Sequence, residues 1–222
     1  MIVELGSAPV ERVGGKAAGL ARLVELGLPV PPAVVLPVGE ELDDPLGVAQ
    51  RLGEPLAVRS SAVAEDAAAR SAAGQYETVL GVWAEGLAAA VVHVRGSTGR
   101  ADAYGATGAV AVVIQREVPA TRAGVAFSRD PVTGSGDVLV ECAADGGEAV
   151  VSGAVTPDRY RVGETVRARA AGPLRVLRDD EARSVAELVR RAEQGFGCPV
   201  DVEFCFEART LWLVQCRPVT TS

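Results

Sequence analysis

Lysine is almost missing from this chain of 222 residues, where Lys16 stands alone beside 21 arginines. Histidine is represented only by His93, and aromatic residues make up 4% of the sequence. Because arginine supplies nearly all the positive charge, the one lysine indicates a position that needs a compact ammonium group rather than a planar guanidinium fork. The count alone fits equally well with a lysine retained by chance, so the rest of the chain has to decide.

A basic surface and a long apolar run are also missing. The formal net charge is -7, which argues against a general binder of nucleic acid or of anionic membrane surfaces. No apolar stretch approaches the ~20 residues of a membrane-spanning helix, and the first 16 residues lack the sections of a signal peptide. We therefore expect a cytoplasmic protein with no nucleic-acid partner and no membrane partner.

Paired cysteine motifs are absent as well. Cys142, Cys198, Cys205 and Cys216 form no C-x-x-C pair, which excludes the usual spacing of a thiolate metal site. In a cytoplasmic protein we expect these thiols to be reduced and mostly buried.

Glycines surround the lone lysine, in the segment Gly-Gly-Lys-Ala-Ala-Gly at 14–19. Apolar residues then recur at helical spacing, which predicts a helix over 16–26. A glycine loop that feeds a helix N-terminus favours anions through free N–H groups and the helix dipole. It is not a Walker A loop, because Val10 occupies the first glycine position and Ala17 follows the lysine.

Further helices and strands follow from apolar periodicity and from turn residues. Helices are predicted at 85–94 and at 180–194, the second capped by Asp179 or Asp180 and ended by Gly195. Strands are predicted at 56–61, 79–80, 109–115, 124–128, 138–141, 149–151, 200–206 and 211–217.

The connections between these elements carry two candidate features. The segment 37–55 is a Pro/Gly/Asp-rich connection with one short helix, and 71–78 is a loop of small residues. The Gly-rich segment 96–108 is a candidate hinge. We therefore expect two subdomains, 1–105 and 106–222.

Acidic residues alternate with apolar ones in the strand at 200–206. Asp201 and Glu203 share one face of that strand, because side chains two residues apart point the same way. A four-residue connection over 207–210 joins it to a strand that carries Gln215 and Arg217 on the same side. Two carboxylates and an amide oxygen suit Mg²⁺, whereas the alternative is an ordinary polar sheet face. Arg217 would then balance the carboxylates or hold a phosphate.

Seven stretches carry a family resemblance, in family order, between residues 14 and 220. They are GGKAAGLARLVELGLPVP, LAVRSSAVAED, SAAGQYETVLGV, VAVVIQREV, AGVAFSRDPVTG, VVSGAVTPDRY and VDVEFCFEARTLWLVQCRPVT. Together they make the chain similar to the N-terminal nucleotide-binding domain of pyruvate phosphate dikinase, phosphoenolpyruvate synthase and rifampin phosphotransferase. The resemblance implies an α+β, ATP-grasp-like fold of two subdomains with a nucleotide cleft between them.

The resemblance implies roles for residues in the first half of the chain. Lys16 and Arg59 match the family's basic residues at the ATP phosphates, although a salt bridge from Arg59 to Glu65 or Asp66 is an alternative. Gly74 and Thr78 match the glycine-rich loop that closes over the phosphates.

Roles in adenine, metal and phosphate binding are implied for the second half. Gln115 matches the end of a strand whose following backbone, near Glu117 and Val118, holds adenine in family members. The implied Mg²⁺ ligands are Glu203 and Gln215 with Asp201 as a helper, and Arg217 matches an arginine that contacts the transferring phosphate.

The chain departs from the family pattern in three ways. Family enzymes pass phosphate to a histidine within a G-G-x-x-S-H-A type signature, which this sequence lacks. The connection between Pro37 and Leu56 is shorter than usual, and Ala72 stands where the family loop commonly has Phe.

We therefore expect a phosphotransferase domain that uses Mg-ATP, with Lys16, Arg59 and Arg217 as catalytic cations. The acceptor would lie on a separate chain or domain, such as a phosphohistidine carrier or a substrate-binding chain, or would be a small molecule. The alternatives are a catalytically silent nucleotide-binding regulatory module and an ATP-grasp ligase.

Overall fold

A computed structural model describes residues 1–62, 78–97, 110–130, 134–144 and 156–219. Helices in these ranges are α1 (Val10–Glu25), α2 (Pro45–Leu52), α3 (Ala84–Ser97) and α4 (Asp179–Phe196). The first strands are β1 (Val3–Glu4), β2 (Ala33–Leu36), β3 (Leu56–Ala62), β4 (Thr78–Val82) and β5 (Val110–Arg116). The remaining strands are β6 (Arg122–Phe127), β7 (Val138–Ala143), β8 (Asp158–Val162), β9 (Val166–Arg169), β10 (Val200–Glu207) and β11 (Thr210–Pro218).

The chain divides into two units, one of residues 1–21 with 31–117 and one of residues 22–30 with 118–222. The boundary lies at 117/118 rather than at the predicted 105/106, because β5 pairs with β2 and β3 and so belongs to the first unit. This boundary depends on pairing between strands that are far apart in sequence. The local composition around 117/118 therefore does not indicate it. The predicted hinge lies mostly outside the described residues, and its first two residues end α3.

The first unit contains an antiparallel sheet in the order β1-β2-β5-β3-β4. Alternate residues of β2, β3 and β5 pack with α2 and α3 in one apolar core: Val34, Leu36, Leu56, Val58, Val112 and Ile114. The period of two places Arg59, Ser61 and Gln115 on the opposite face of this sheet. The apolar core thus leaves a second face that carries polar side chains.

The second unit contains an antiparallel sheet in the order β11-β10-β6-β7-β8-β9, against which α4 packs. One face of β10 is buried as the sequence predicts, with Phe204 and Phe206 in edge-to-face contact. The β8–β9 hairpin was not predicted, because its short, arginine-rich strands show little apolar alternation.

Two boundaries in the second unit differ from the sequence prediction. Helix α4 passes Gly195 and ends at Gly197, whose φ of 72° is the left-handed conformation of a C-terminal cap. Its first turn contains both predicted capping residues, and Glu181 instead accepts a hydrogen bond from the Arg178 amide. The β10–β11 turn contains two residues rather than four, because Glu207 and Thr210 are already paired.

Other predicted elements are present, most of them with longer bounds, while the predicted strand 149–151 lies outside the described residues. In the ranges that the structure describes, we find no helix with the length and apolar character that crossing a bilayer requires.

Candidate functional site

The predicted lysine loop appears as a break inside α1. Gly14 has φ 79° and ψ 171°, a conformation that residues with a side chain essentially never adopt. A new run of helix follows the break, with Lys16 two residues beyond it and partly buried. The sequence therefore located the loop correctly, although residues 10–13 before it are helical as well.

Strand β3 anchors this loop from 44 residues further along the chain. The Ala17 amide donates a hydrogen bond to the Ser61 Oγ over 3.1 Å, and Ser61 is 0% exposed. Arg59 lies two residues before Ser61, on the same face of β3. The fold thus links the helix that carries Lys16 to the strand that carries Arg59.

Thr78 and Gln115 lie on the two strands that flank β3. Thr78 is directly opposite Arg59 in the β3–β4 ladder. Gln115 is opposite Ala57, is buried, and donates from Nε2 to the Pro31 carbonyl over 3.4 Å. Gly74 lies outside the described residues, as do Glu65 and Asp66, the alternative partners for Arg59.

Glu117 is the last residue of the first unit. Its amide donates to the Pro55 carbonyl over 2.9 Å, and its carboxylate accepts a hydrogen bond from the Gly81 amide. Val118 is the first residue of the second unit after this point. The two residues predicted near adenine therefore lie where the chain leaves one unit for the other.

The other predicted residues lie together on β10 and β11. Asp201 is directly opposite Arg217, and Glu203 is directly opposite Gln215. A β-bulge at Val214 shifts the register, since Phe204 is opposite Leu213. Strict alternation along β11 would place Gln215 on the face of Leu213, whereas the bulge moves it to the face of Glu203.

Arg217 and Asp201 form an ion pair, with Nε of the arginine donating to Oδ2 over 2.7 Å. The Asp201 side chain is 10% exposed, whereas that of Arg217 is 50% exposed. The arginine therefore balances a carboxylate, one of the two alternatives that the sequence left open. Glu203 is more exposed than its neighbour Asp201.

A buried aspartate that the sequence analysis did not single out organises another part of the second unit. Asp158 accepts hydrogen bonds from the Ala171 and Val176 amides at 2.7 and 2.8 Å and from the Tyr160 hydroxyl at 2.9 Å. Burial opposes the charge, but these three donors hold the pKa of Asp158 below its ordinary value. The tyrosine hydroxyl in turn accepts from the Leu177 amide. The motif TPDRY contains both side chains and was the available signal.

The four cysteines are free thiols, as expected, and all but Cys198 are buried. Burial raises the pKa of Cys142 and of Cys216 to about 12. Thiolate chemistry at neutral pH is therefore disfavoured at these two positions.

A surface cavity of about 430 Å³ lies in the second unit, on α4. Its lining residues are Val162, Gly163, Arg183, Glu187, Arg190, Arg191 and Gln194. It shares no residue with the predicted site, and its arginines donate to the backbone carbonyls of Glu164, Val162 and Leu26. In the part of the chain that the structure describes, no group of three His, Cys, Asp or Glu side chains is arranged to hold a metal ion.

Solved structures share this fold at low sequence identity. D-alanine–D-alanine ligase from Bacillus anthracis, complexed with ATP, has a TM-score of 0.51 and 11% identity over 91% of this chain and 52% of the ligase. The Pyrococcus horikoshii protein PH1788 has a TM-score of 0.52 and 13% identity over 94% of this chain and 93% of that protein. The fold of this chain is α+β and ATP-grasp-like.

Curated relatives are more similar in sequence. A probable phosphoenolpyruvate synthase from Methanothermobacter thermautotrophicus is 30% identical over 98% of this chain and 45% of the relative. The prodigiosin synthesizing transferase PigC from Serratia marcescens is 32% identical over 100% of the chain and 33% of the relative. A rifampicin phosphotransferase from a Streptomyces species is 36% identical over 79% of the chain and 25% of the relative.

The chain thus spans less than half the length of each of these relatives. The alignment with the first relative runs over 314 residues, so that relative also carries segments that this chain lacks. The chain matches the sequence profile described as pyruvate phosphate dikinase, AMP/ATP-binding domain, over residues 38–173 and 165–222. The chain therefore belongs to the pyruvate phosphate dikinase AMP/ATP-binding domain family.

Proposed function

We propose that this chain binds Mg-ATP and transfers phosphate from it to an acceptor on a partner protein or domain, or to a small molecule. The observation that carries the proposal is the opposed pair of Glu203 and Gln215, held by the bulge in β11. The link between the Lys16 helix and the Arg59 strand supports it from the first unit.

Lys16 and Arg59 would neutralise the phosphates of the nucleotide. Phosphoryl transfer needs positioning and charge stabilisation more than covalent participation by the protein. Thr78 lies opposite Arg59, and it would contact the same phosphates together with Gly74. Gln115, Glu117 and Val118 would hold the adenine, since they end β5 and begin the connection to the second unit.

Glu203 and Gln215 fit a magnesium ion by the chemistry of their donors. Both offer hard oxygens from directly opposite positions, and Mg²⁺ is usually held by one or two carboxylates together with substrate phosphates. Asp201 is already paired with Arg217, which suits a helper role rather than direct ligation. A bound Mg²⁺ would supply charge neutralisation at the transferring phosphate.

Arg217 would contact the transferring phosphate through the exposed part of its side chain. Half of its side chain is exposed, and its Nε is fixed by the carboxylate. An arginine oriented in this way loses less side-chain freedom when an anion arrives.

The acceptor is proposed to lie outside this chain. The curated relatives are more than twice as long as the part that this chain matches, which leaves room in them for further domains. These relatives include a probable phosphoenolpyruvate synthase and a rifampicin phosphotransferase, whose names point to different substrates, so the class of acceptor is not carried over.

Two experiments test the proposal in sequence. Mg-ATP should raise the melting temperature in a titration. The free energy of unfolding should rise by about 2.7 kcal/mol when free nucleotide reaches 100 times Kd. No concentration dependence up to millimolar Mg-ATP would contradict nucleotide binding.

The products of Mg-ATP incubation, with and without proteins encoded nearby, then separate the alternatives. AMP and phosphate indicate a dikinase reaction, and ADP with a phosphorylated acceptor indicates a kinase reaction. ADP and phosphate formed only when a carboxylate substrate is present would support the ATP-grasp ligase. Binding without turnover under every condition would support the silent regulatory module.

A further inference from the structure

We infer that Ser61 is a positioning residue for Lys16, a role that rests on the proposed binding of ATP by the lysine loop. Ser61 is the second-to-last residue of β3 and is 0% exposed, so its hydroxyl does not face solvent. Its action is on the backbone around the lysine.

The hydroxyl supplies a helix cap from a distant strand. The break at Gly14 starts a new helical run, whose first amides lack partners within the helix. The Ala17 amide, directly after Lys16, donates to the Ser61 Oγ over 3.1 Å. A serine oxygen commonly performs this role from the N-cap position itself, but here it arrives from β3.

Ser61 also contacts the loop before the lysine, at Gly14. A Cβ atom at Gly14 would lie 2.2 Å from the Ser61 backbone oxygen and 2.5 Å from its Oγ. The loop backbone therefore lies in close contact with Ser61. Lys16 is held between this close contact at Gly14 and the hydrogen bond at Ala17.

The strand that carries Ser61 also carries Arg59, the second residue proposed to bind phosphate. Arg59 lies two residues before Ser61 on the same face of β3. Ser61 therefore fixes the lysine backbone relative to the strand of Arg59. Ligand groups held by such supporting contacts lose less freedom on binding.

Ser60 offers a matched control on the same strand. It is also 0% exposed, but it faces the apolar core side of β3. Within the described residues its hydroxyl makes no hydrogen bond. Ser60→Ala therefore removes the same atom at the same depth without touching the lysine loop.

The experiment is a double-mutant cycle on ATP affinity, measured by isothermal titration calorimetry with Mg-ATP. The proteins are wild type, Ser61→Ala, Ser60→Ala, Lys16→Ala and the Lys16→Ala/Ser61→Ala pair. We expect Ser61→Ala to weaken binding about tenfold, the scale of a lost helix cap, and Ser60→Ala to stay within about twofold. In the Lys16→Ala background, removing the Ser61 hydroxyl should change affinity by less than about twofold, because its effect acts through the lysine.

Three results would overturn the inference. One is wild-type affinity in Ser61→Ala, another is an equal loss in Ser60→Ala, and the third is an undiminished loss when Lys16 is already alanine. The last result would assign Ser61 a merely structural role. If the wild type itself does not bind Mg-ATP, the proposed function fails first, and that outcome is distinct from the other three.

A second variant covers a failure to fold. Should Ser61→Ala lose its circular dichroism signal, Ser61→Cys keeps a side chain of similar shape with a weak acceptor in place of the oxygen. It should weaken ATP binding in the same direction, and wild-type affinity in this variant would overturn the role of the Oγ.

Discussion

Glu203 lies directly opposite Gln215 in the β10–β11 ladder because a bulge at Val214 shifts the register by one residue. Without the extra residue, Gln215 and Arg217 would share a face with Leu213, which is fully buried. The bulge therefore lets one strand place Leu213 in the core and place polar groups beside Glu203. Bulges commonly redirect side chains next to active sites.

Glu203→Gln should separate an enzyme from a binding module. The substitution keeps the size of the side chain and removes its charge, so metal-dependent turnover should fall by roughly a hundredfold or more. ATP affinity should fall much less, since Lys16 and Arg59 remain. The measurement is phosphate transfer or ATP hydrolysis, with candidate partner proteins present and absent.

Neighbouring substitutions provide the controls for Glu203. Asp201→Asn should have a smaller effect on turnover, because Asp201 is held by Arg217. Gln215→Ala should fall between the two. Equal and measurable turnover in wild type and Glu203→Gln would contradict the metal role of Glu203. Zero turnover in both proteins, with equal ATP binding, would support the silent module.

Lys16→Arg should impair ATP binding although it keeps the positive charge. The planar guanidinium does not fit a site shaped for an ammonium group. Lys16→Ala should also weaken binding while circular dichroism stays unchanged, because the contacts of Ser61 at Gly14 and Ala17 involve only backbone atoms of the loop. Wild-type affinity in Lys16→Arg, or unfolding of Lys16→Ala, would contradict a phosphate role.

Asp158→Asn should lower stability at neutral pH by about 1–3 kcal/mol, because a buried carboxylate with three donors is replaced by an amide. Since folding lowers the pKa of Asp158, its charge contributes stability above its unfolded pKa of about 3.9. That contribution is lost as the pH falls through the lower folded value. Urea unfolding at pH 7 and at pH 3 should therefore show a gap from wild type that narrows in acid, and an unchanged gap would exclude the carboxylate charge as its cause.

Gly124→Ala should destabilise the second unit by about 2–3 kcal/mol, the scale of overpacking in a well-packed interior. Gly124 lies on β6, and a Cβ there would be 1.9 Å from the Glu141 backbone oxygen on β7. Thermal unfolding measures the change. Gly136→Ala is the control, because its Cβ would meet nothing within 4 Å, and it should stay within about 0.5 kcal/mol of wild type. Similar melting temperatures for the two variants would show that β6 and β7 separate easily.

Local chemistry in the sequence accounts for much of the candidate site. The alternation of Asp201 and Glu203 with Phe204 and Phe206 predicted which face of β10 enters the core, since side chains two residues apart share a face. The glycines before Lys16 predicted a loop at a helix start, and Gly14 adopts a conformation that needs glycine.

Packing between distant residues decided what the sequence analysis missed. The sequence predicts that Gly195 ends the helix, yet α4 continues through it, and a Cβ there would collide with Leu26. The unit boundary lies later in the chain than predicted because β5 pairs between β2 and β3. In both cases the determining partner is far away along the chain.

By itself, the sequence determined the family, the periodicity of the main strands and the types of side chain available for phosphate and metal, because these are properties of composition and short-range spacing. Tertiary structure alone decided that Ser61 caps the helix of Lys16, that Val214 forms a bulge, and that Arg217 pairs with Asp201. Each of these depends on the register of strands or on contacts across the fold. Such contacts are fixed by the closure of the whole sheet rather than by the residues next to them in the sequence.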